Sequence, residues 1–66
     1  MENRLKVIRA ELNMSQEKLA TLAGLSRVTV SKIETGAVPP DGATIAKLVK
    51  ATGVPADRIF FDLGVV

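Results

Sequence analysis

The sequence contains no cysteine, no histidine, no tryptophan and no tyrosine, and its only aromatic side chains are two phenylalanines. Without cysteine the chain has neither a disulfide framework nor a thiolate metal site. Without histidine it lacks the commonest metal ligand and the usual general base, which argues against enzymatic chemistry. Two phenylalanines are too few for the stacking platforms that grip single-stranded nucleic acid. We therefore expect a protein with no catalytic residue, no metal and no cofactor.

Long apolar runs are also missing. No run approaches the roughly 20 residues that cross a bilayer, and residues 1–6 do not lead into the apolar stretch of a secretory signal. We therefore expect a cytoplasmic protein that does not enter a membrane. A chain of 66 residues forms one domain at most. Below about 70 to 80 residues one core seldom supplies more than about 3 to 5 kcal/mol, so self-association or tight helix packing is expected.

The charged residues are unevenly distributed. The sequence has nine lysines and arginines against seven aspartates and glutamates. Residues 1–36 contain six basic and four acidic side chains, and the remaining residues contain three of each. The whole excess of two positive charges therefore lies in the first 36 residues.

Residues 15–36 carry the clearest structural pattern. Each half begins with a serine suited to cap a helix, Ser15 and then Ser26, and ends with a glycine suited to a left-handed stop, Gly24 and then Gly36. Only Gly24 and Leu25 separate the two predicted helices, which is too short for antiparallel packing and fits a helix-turn-helix. The apolar residues predicted to share its core are Leu19, Ala20, Ala23, Leu25, Val30 and Ile33.

The rest of the chain adds three predicted helices. Leu5, Ile8 and Leu12 form one apolar stripe on a helix over residues 2–12, and Asn13 suits a left-handed exit from it. Residues 36–42 contain two prolines and two glycines, which predict a loop. Two further helices are predicted at about residues 43–52 and 56–60, the second favoured by Pro55. The sequence thus predicts a single all-α domain of five helices over residues 1–66.

The carboxyl-terminal residues 59–66 include six apolar side chains among eight, more than a solvated tail would carry. These side chains either pack on their own domain or contact a second copy of the chain. We slightly favour the second alternative because the core of so short a chain is small. The predicted dimer contact consists of Ile59, Phe60, Phe61, Leu63, Val65 and Val66.

A longer pattern of fixed spacing runs through most of the chain. It reads Leu5-Lys6-x-Ile8-Arg9, then Ser15-Gln16-x-x-Leu19-Ala20-x-x-Ala23-Gly24-Leu25-Ser26-x-x-Thr29-Val30-Ser31-x-Ile33-Glu34-x-Gly36, and Pro39. This pattern resembles the lambdoid-phage repressor and Cro family of helix-turn-helix proteins, also called the xenobiotic-response-element family. The resemblance covers about residues 2–60. Asn13 replaces a glycine that is common in the family, and the tail after Phe60 has no counterpart there.

The resemblance implies a compact lambda-repressor-like fold whose third helix lies in the major groove of DNA while the second crosses the phosphate backbone. The residues that it implies for reading bases are Arg27, Val28, Ser31 and Lys32. The residues that it implies for phosphate contact are Gln16, Thr29, Thr35 and the loop amides of Gly36 and Ala37. It also pairs Arg9 in the first helix with Glu34 at the end of the third, which would fix the angle of the reading helix.

The predicted function is a sequence-specific, double-stranded DNA-binding transcriptional regulator, a repressor acting as a homodimer on a two-fold operator. The alternative is a protein-interaction module, antitoxin-like or adaptor-like, in which DNA binding is secondary. A DNA-binding dimer with about six to ten phosphate contacts should lose about 10³ to 10⁵ in affinity between about 50 and 200 mM salt. Contact through an apolar tail should barely respond to salt.

Plainer interpretations stay open for single residues. Exposed arginines and lysines such as Arg27 and Lys32 usually need no ligand to explain them, and one exposed valine is common. Gln16 is acceptable in a first helical turn without any ligand. Arg9 and Glu34 can be an exposed ion pair worth less than about 1 kcal/mol.

Overall fold

The computed structural model describes residues 3–60, and within that range the chain forms five α-helices. The all-α, five-helix prediction is confirmed for this part of the chain. The one β-type pairing between described residues is an isolated antiparallel bridge that joins Asn3 to Phe60. The helices are α1 (Leu5–Glu11), α2 (Gln16–Ala23), α3 (Arg27–Glu34), α4 (Gly42–Thr52) and α5 (Ala56–Ile59).

The two serines predicted to cap helices do so. The Ser15 hydroxyl accepts a hydrogen bond from the backbone N–H of Lys18 at 3.0 Å, and the Ser26 hydroxyl accepts one from Thr29 at 3.0 Å. Gly24 ends α2 in the left-handed region with φ of 68°. The predicted left-handed exit from α1 is also confirmed, because Asn13 has φ of 56°. Local sequence signals therefore set the start of α2 and the turn that leads into α3.

The core draws on all five helices. The residues predicted for its helix-turn-helix part all belong to it or pack against it, Leu25 being half-buried. Met14 also packs against this core. The helix α2 packs against both α3 and α4, so it forms the centre of the scaffold. The buried apolar residues are Leu5, Ile8, Leu19, Ala20, Ala23, Val30, Ile33, Leu48, Ile59 and Phe60.

Leu12 departs from the predicted apolar stripe of the first helix. Its side chain is 42% exposed, whereas Leu5 and Ile8 are buried. The helix ends at Glu11, and the chain turns at Asn13, so only the first part of the stripe faces the core. None of the helices found in residues 3–60 is long and apolar enough to cross a membrane.

The structure corrects the expectation that Ile59 and Phe60 contact a second copy of the chain. Both side chains have no exposed surface and belong to the core of their own protomer. Phe60 fills that core after α5. Beside it, the Arg4 N–H donates to the Ile59 carbonyl at 2.8 Å and joins the end of α5 to the start of α1. The other predicted dimer contacts, Phe61, Leu63, Val65 and Val66, lie outside the described residues.

Candidate nucleic-acid interface

The outer face of α3 is the surface that the resemblance assigns to base reading. Its four residues Arg27, Val28, Ser31 and Lys32 span about 140° of the helix circumference at 3.6 residues per turn. Three of them are exposed, Ser31 is half-buried, and the Val28 side chain is 55% exposed. Val30 and Ile33 on the opposite side of the helix are buried in the core. We call the four outer residues the α3 outer face.

A buried polar cluster lies behind this helix. Arg9 of α1 donates from Nε to Glu34 Oε2 at 2.6 Å and from Nη2 to Glu34 Oε1 at 3.3 Å. A third donor of Arg9, Nη1, reaches the carbonyl of Met14 at 2.8 Å. The side chains of Arg9 and Glu34 are only 15% and 3% exposed. The pair is therefore not a solvated surface pair, because a carboxylate this buried depends on its partners.

Gln16 joins the same cluster. It is the first residue of α2 and is half-buried, and its Nε2 donates to Glu34 Oε1 at 2.9 Å. This contact links residues 18 positions apart, and no pattern in the sequence indicates it. We call Arg9, Gln16 and Glu34 the buried cluster. It connects α1 and the start of α2 to the last residue of α3, and Arg9 balances the negative charge of Glu34 there.

The turn after α3 corrects the predicted phosphate contacts of two loop amides. The N–H of Gly36 donates to the carbonyl of Ile33 at 3.1 Å, and the N–H of Ala37 donates to the carbonyl of Lys32 at 2.9 Å. The last carbonyls of a helix lack partners within the helix, and these amides supply them. The Thr35 hydroxyl also donates to the Lys32 carbonyl, at 3.2 Å. The two amides therefore close the helix and are not directed at a ligand, whereas the exposed Thr35 hydroxyl can rotate to another acceptor.

Thr29 has a different arrangement at the start of α3. Its hydroxyl and that of Ser26 share a hydrogen bond of 2.8 Å, in which either oxygen can be the donor. The shared bond uses one of the two hydroxyl hydrogens, so the other is left for a further acceptor. The Ser26 and Thr29 pair thus places one hydroxyl donor beside the α3 outer face.

Comparison with known proteins identifies the family to which this architecture belongs. A family model described as helix-turn-helix matches residues 5–59, which include every helix of the structure. The chain belongs to the Cro/C1-type helix-turn-helix family. Relatives that resemble the chain are named as HTH-type transcriptional regulators. The protein is therefore a transcriptional regulator with a helix-turn-helix DNA-binding domain.

Three relatives show how far this similarity extends. An uncharacterized HTH-type transcriptional regulator of Methanocaldococcus jannaschii is 42% identical over 60 residues, covering 91% of either chain. The uncharacterized HTH-type transcriptional regulator YgzD of Bacillus subtilis is 36% identical over 61 residues, covering 92% of either chain. The HTH-type transcriptional repressor RghR of Bacillus subtilis is 33% identical over 63 residues, which are 94% of this chain and 47% of RghR.

An open groove of about 350 Å³ lies beside the helix-turn-helix, between α3 and the start of α4. Thr29 and Lys32 line one side, and residues 38–41 line the other. Asp41 caps α4 by accepting from the backbone N–H of Thr44 at 2.8 Å. This hydrogen bond lowers the pKa of Asp41 below its ordinary value of 3.8. The loop predicted over residues 36–42 includes Asp41 and Gly42, although an aspartate before a helical run is a capping signal.

Proposed function

We propose that this regulator is a repressor that binds a two-fold DNA operator as a homodimer and reads bases with the α3 outer face. The observation that carries the proposal is that this face presents two cations and a 55% exposed valine on a helix whose opposite side is fixed in the core. A β-branched apolar residue directed outward gains little in water, and contact with a base would cover it. The relative RghR is itself a transcriptional repressor.

Each residue of the α3 outer face has a chemical role in this proposal. Arg27 donates two hydrogen bonds to guanine O6 and N7, and Lys32 reaches the same acceptors. Val28 contacts the methyl group of thymine, and the Ser31 hydroxyl hydrogen-bonds to either a donor or an acceptor on a base edge. Gln16, Thr29 and Thr35 contact the phosphate backbone, which sets the register of the helix without reading sequence. The excess positive charge of residues 1–36 favours the approach to DNA.

Dimerisation follows from the small size of the reading surface. One short helix reads few base pairs, whereas two copies about 34 to 36 Å apart contact two half-sites and multiply the specificity. Since Ile59 and Phe60 are buried within their own protomer, the dimer contact is proposed to involve residues 61–66. We place the protein in the cytoplasm because its proposed target is the genome of a prokaryotic cell or mobile element.

Selection of tight binders from random duplex DNA tests the proposal. The expected result is a two-fold motif whose half-sites are about 10 to 10.5 base pairs apart. Affinity for the recovered duplex should fall by about 10³ to 10⁵ between about 50 and 200 mM salt. Recovery of no motif, together with salt-independent binding to a protein partner, would instead support the interaction-module alternative.

The dimer contact has a separate test. A chain that ends at Phe60 retains every described core residue, so it should fold and sediment as a monomer with weaker operator binding. If it sediments as a dimer, the assignment of residues 61–66 to the dimer contact is wrong.

A further inference from the structure

Within the buried cluster, Glu34 holds the residue that is also a proposed phosphate contact, Gln16. Gln16 is proposed to bind phosphate, and its side-chain nitrogen is held by Glu34 at 2.9 Å. We propose that Glu34 is a positioning residue for Gln16, and that it aims the second N–H of the Gln16 amide at an operator phosphate. This inference rests on the proposed function, since it needs an operator to which Gln16 can bind.

The chemistry of the pair fixes the orientation of the Gln16 amide. An ionised carboxylate only accepts hydrogen bonds, and Glu34 already accepts from Arg9 at 2.6 Å. Gln16 must therefore present its NH₂ group to Glu34 and direct its carbonyl oxygen elsewhere. One of the two N–H bonds is then used, and the other has a fixed direction because the amide is planar. A phosphate oxygen needs such a donor.

Contacts around Glu34 restrict the motion of its side chain. Its side chain is 3% exposed, so little water competes for the carboxylate. Arg9 donates hydrogen bonds to both carboxylate oxygens, and Nη1 of the same guanidinium donates to the Met14 carbonyl at 2.8 Å. A side chain immobilised before binding loses less rotamer freedom when it contacts its ligand. The cluster thus preorganises Gln16 in the free protein.

The position of Glu34 also couples two kinds of contact. Glu34 is the last residue of α3, and Gln16 is the first residue of α2. A shift of α3 would therefore move the carboxylate that holds the phosphate donor. The phosphate contact and the base contacts then form together only when the duplex fits both helices.

The free wild-type protein offers the first test. Gln16 is the only glutamine of the sequence, so its side-chain NH₂ resonances are assigned without ambiguity. We expect ¹⁵N relaxation to give this group an order parameter near that of the α2 backbone, about 0.85, before any DNA is added. An order parameter below about 0.6, equal to that of the exposed Asn13 side chain, would overturn the inference.

The second test replaces single operator phosphates by neutral methylphosphonates in the duplex recovered by selection. For the wild-type protein, neutralising the phosphate bound by Gln16 should weaken binding about tenfold. Gln16→Ala should abolish this sensitivity at that one position. The double variant Arg9→Met and Glu34→Met removes the anchor without leaving a buried charge unpaired, and should abolish the same sensitivity.

Two further variants separate positioning from a merely structural role. Glu34→Gln keeps an oxygen that can accept from Gln16, so it should retain most of the sensitivity even if its overall affinity falls. The matched control Arg4→Met with Glu11→Met makes the same change in composition at two exposed positions and should retain all of it. If the anchor-free double variant binds more weakly but remains sensitive at that phosphate, Glu34 does not position Gln16. If wild-type protein selects no duplex, the proposed function itself fails.

Discussion

Two arginines, Arg9 in α1 and Arg27 at the start of α3, lie in opposite environments. Arg9 lies in the buried cluster, where its side chain is 15% exposed and makes hydrogen bonds to Glu34 and to the Met14 carbonyl. Arg27 lies on the α3 outer face and is exposed. The guanidinium of Arg9 therefore fixes α3 to the rest of the domain, whereas the guanidinium of Arg27 is accessible to a ligand. In this account Arg9 contributes to stability, and Arg27 contributes to base reading.

This contrast predicts that substitutions divide into two classes. Changes at Arg9 should lower the free energy of unfolding, and binding would fall as a consequence. Changes on the α3 outer face should alter binding while the free energy of unfolding stays within about 0.5 kcal/mol of wild type.

The largest expected effect is that of Arg9→Ala. It leaves the Glu34 carboxylate buried without its charged partner, which should cost about 3 to 5 kcal/mol. A core of this size seldom supplies more than about 3 to 5 kcal/mol of stability. The variant should therefore be largely unfolded at 25 °C without denaturant, and urea or thermal denaturation measures this. The exposed Arg4→Ala is the control and should change the free energy of unfolding by less than about 0.5 kcal/mol. A loss below about 1 kcal/mol for Arg9→Ala would show that the pair behaves as a surface pair.

Arg27→Ala should have a smaller effect of a different kind. We expect binding to the selected operator to weaken by about 1 to 3 kcal/mol, with relaxed preference at one base position and unchanged unfolding. Binding titrations against single-base variants of the operator measure this. Lys18→Ala removes the same charge from an exposed position of α2 and should not change base preference. Equal weakening on every duplex would mean that Arg27 only contacts phosphate.

Gly24→Ala tests the turn that sets the two helices of the scaffold at their angle. A Cβ at this position meets nothing within 4 Å, but φ is +68°, so the cost is conformational and should be about 1 to 2 kcal/mol. Gly42→Ala is the matched control, because its Cβ also meets open space and the residue is helical. That change should stabilise the protein by about 0.4 to 1 kcal/mol. The same sign for both variants in denaturation experiments would refute this account of the turn.

The smallest expected effect concerns Asp41, the exposed cap of α4. Because the Thr44 N–H lowers the pKa of Asp41, the stabilisation by this carboxylate is complete above the ordinary pKa of 3.8. It is lost as the pH falls through the lower pKa of the folded state. Asp41→Asn keeps a capping oxygen but cannot titrate. The variant should therefore lose less stability than wild type when unfolding is followed below pH 4, and parallel pH curves would contradict this.

The sequence predicted the local features of the fold because local residues determine them. The caps at Ser15 and Ser26 and the left-handed turns at Asn13 and Gly24 need only near neighbours, and all four are confirmed. The pairing of Arg9 with Glu34 came from the family resemblance, and the structure places the two side chains in contact.

Features that depend on distant residues were not predictable in the same way. The contact between Gln16 and Glu34 and the bridge between Asn3 and Phe60 join parts of the chain that only the tertiary fold brings together. The apolar character of Phe60 indicates burial but not whether its own protomer or a second copy buries it. The engagement of the Gly36 and Ala37 amides was foreseeable, since the end of any helix needs donors for its last carbonyls.

The central claim is that the α3 outer face contacts base edges, and NMR titration with the selected duplex tests it most directly. At moderate ionic strength, we expect the largest chemical-shift changes at residues 27–32 and at the Gln16 side chain. A scrambled duplex of equal length should give weaker changes concentrated at phosphate-contacting residues. Equal changes with both duplexes, or changes centred on another surface of the domain, would contradict the account.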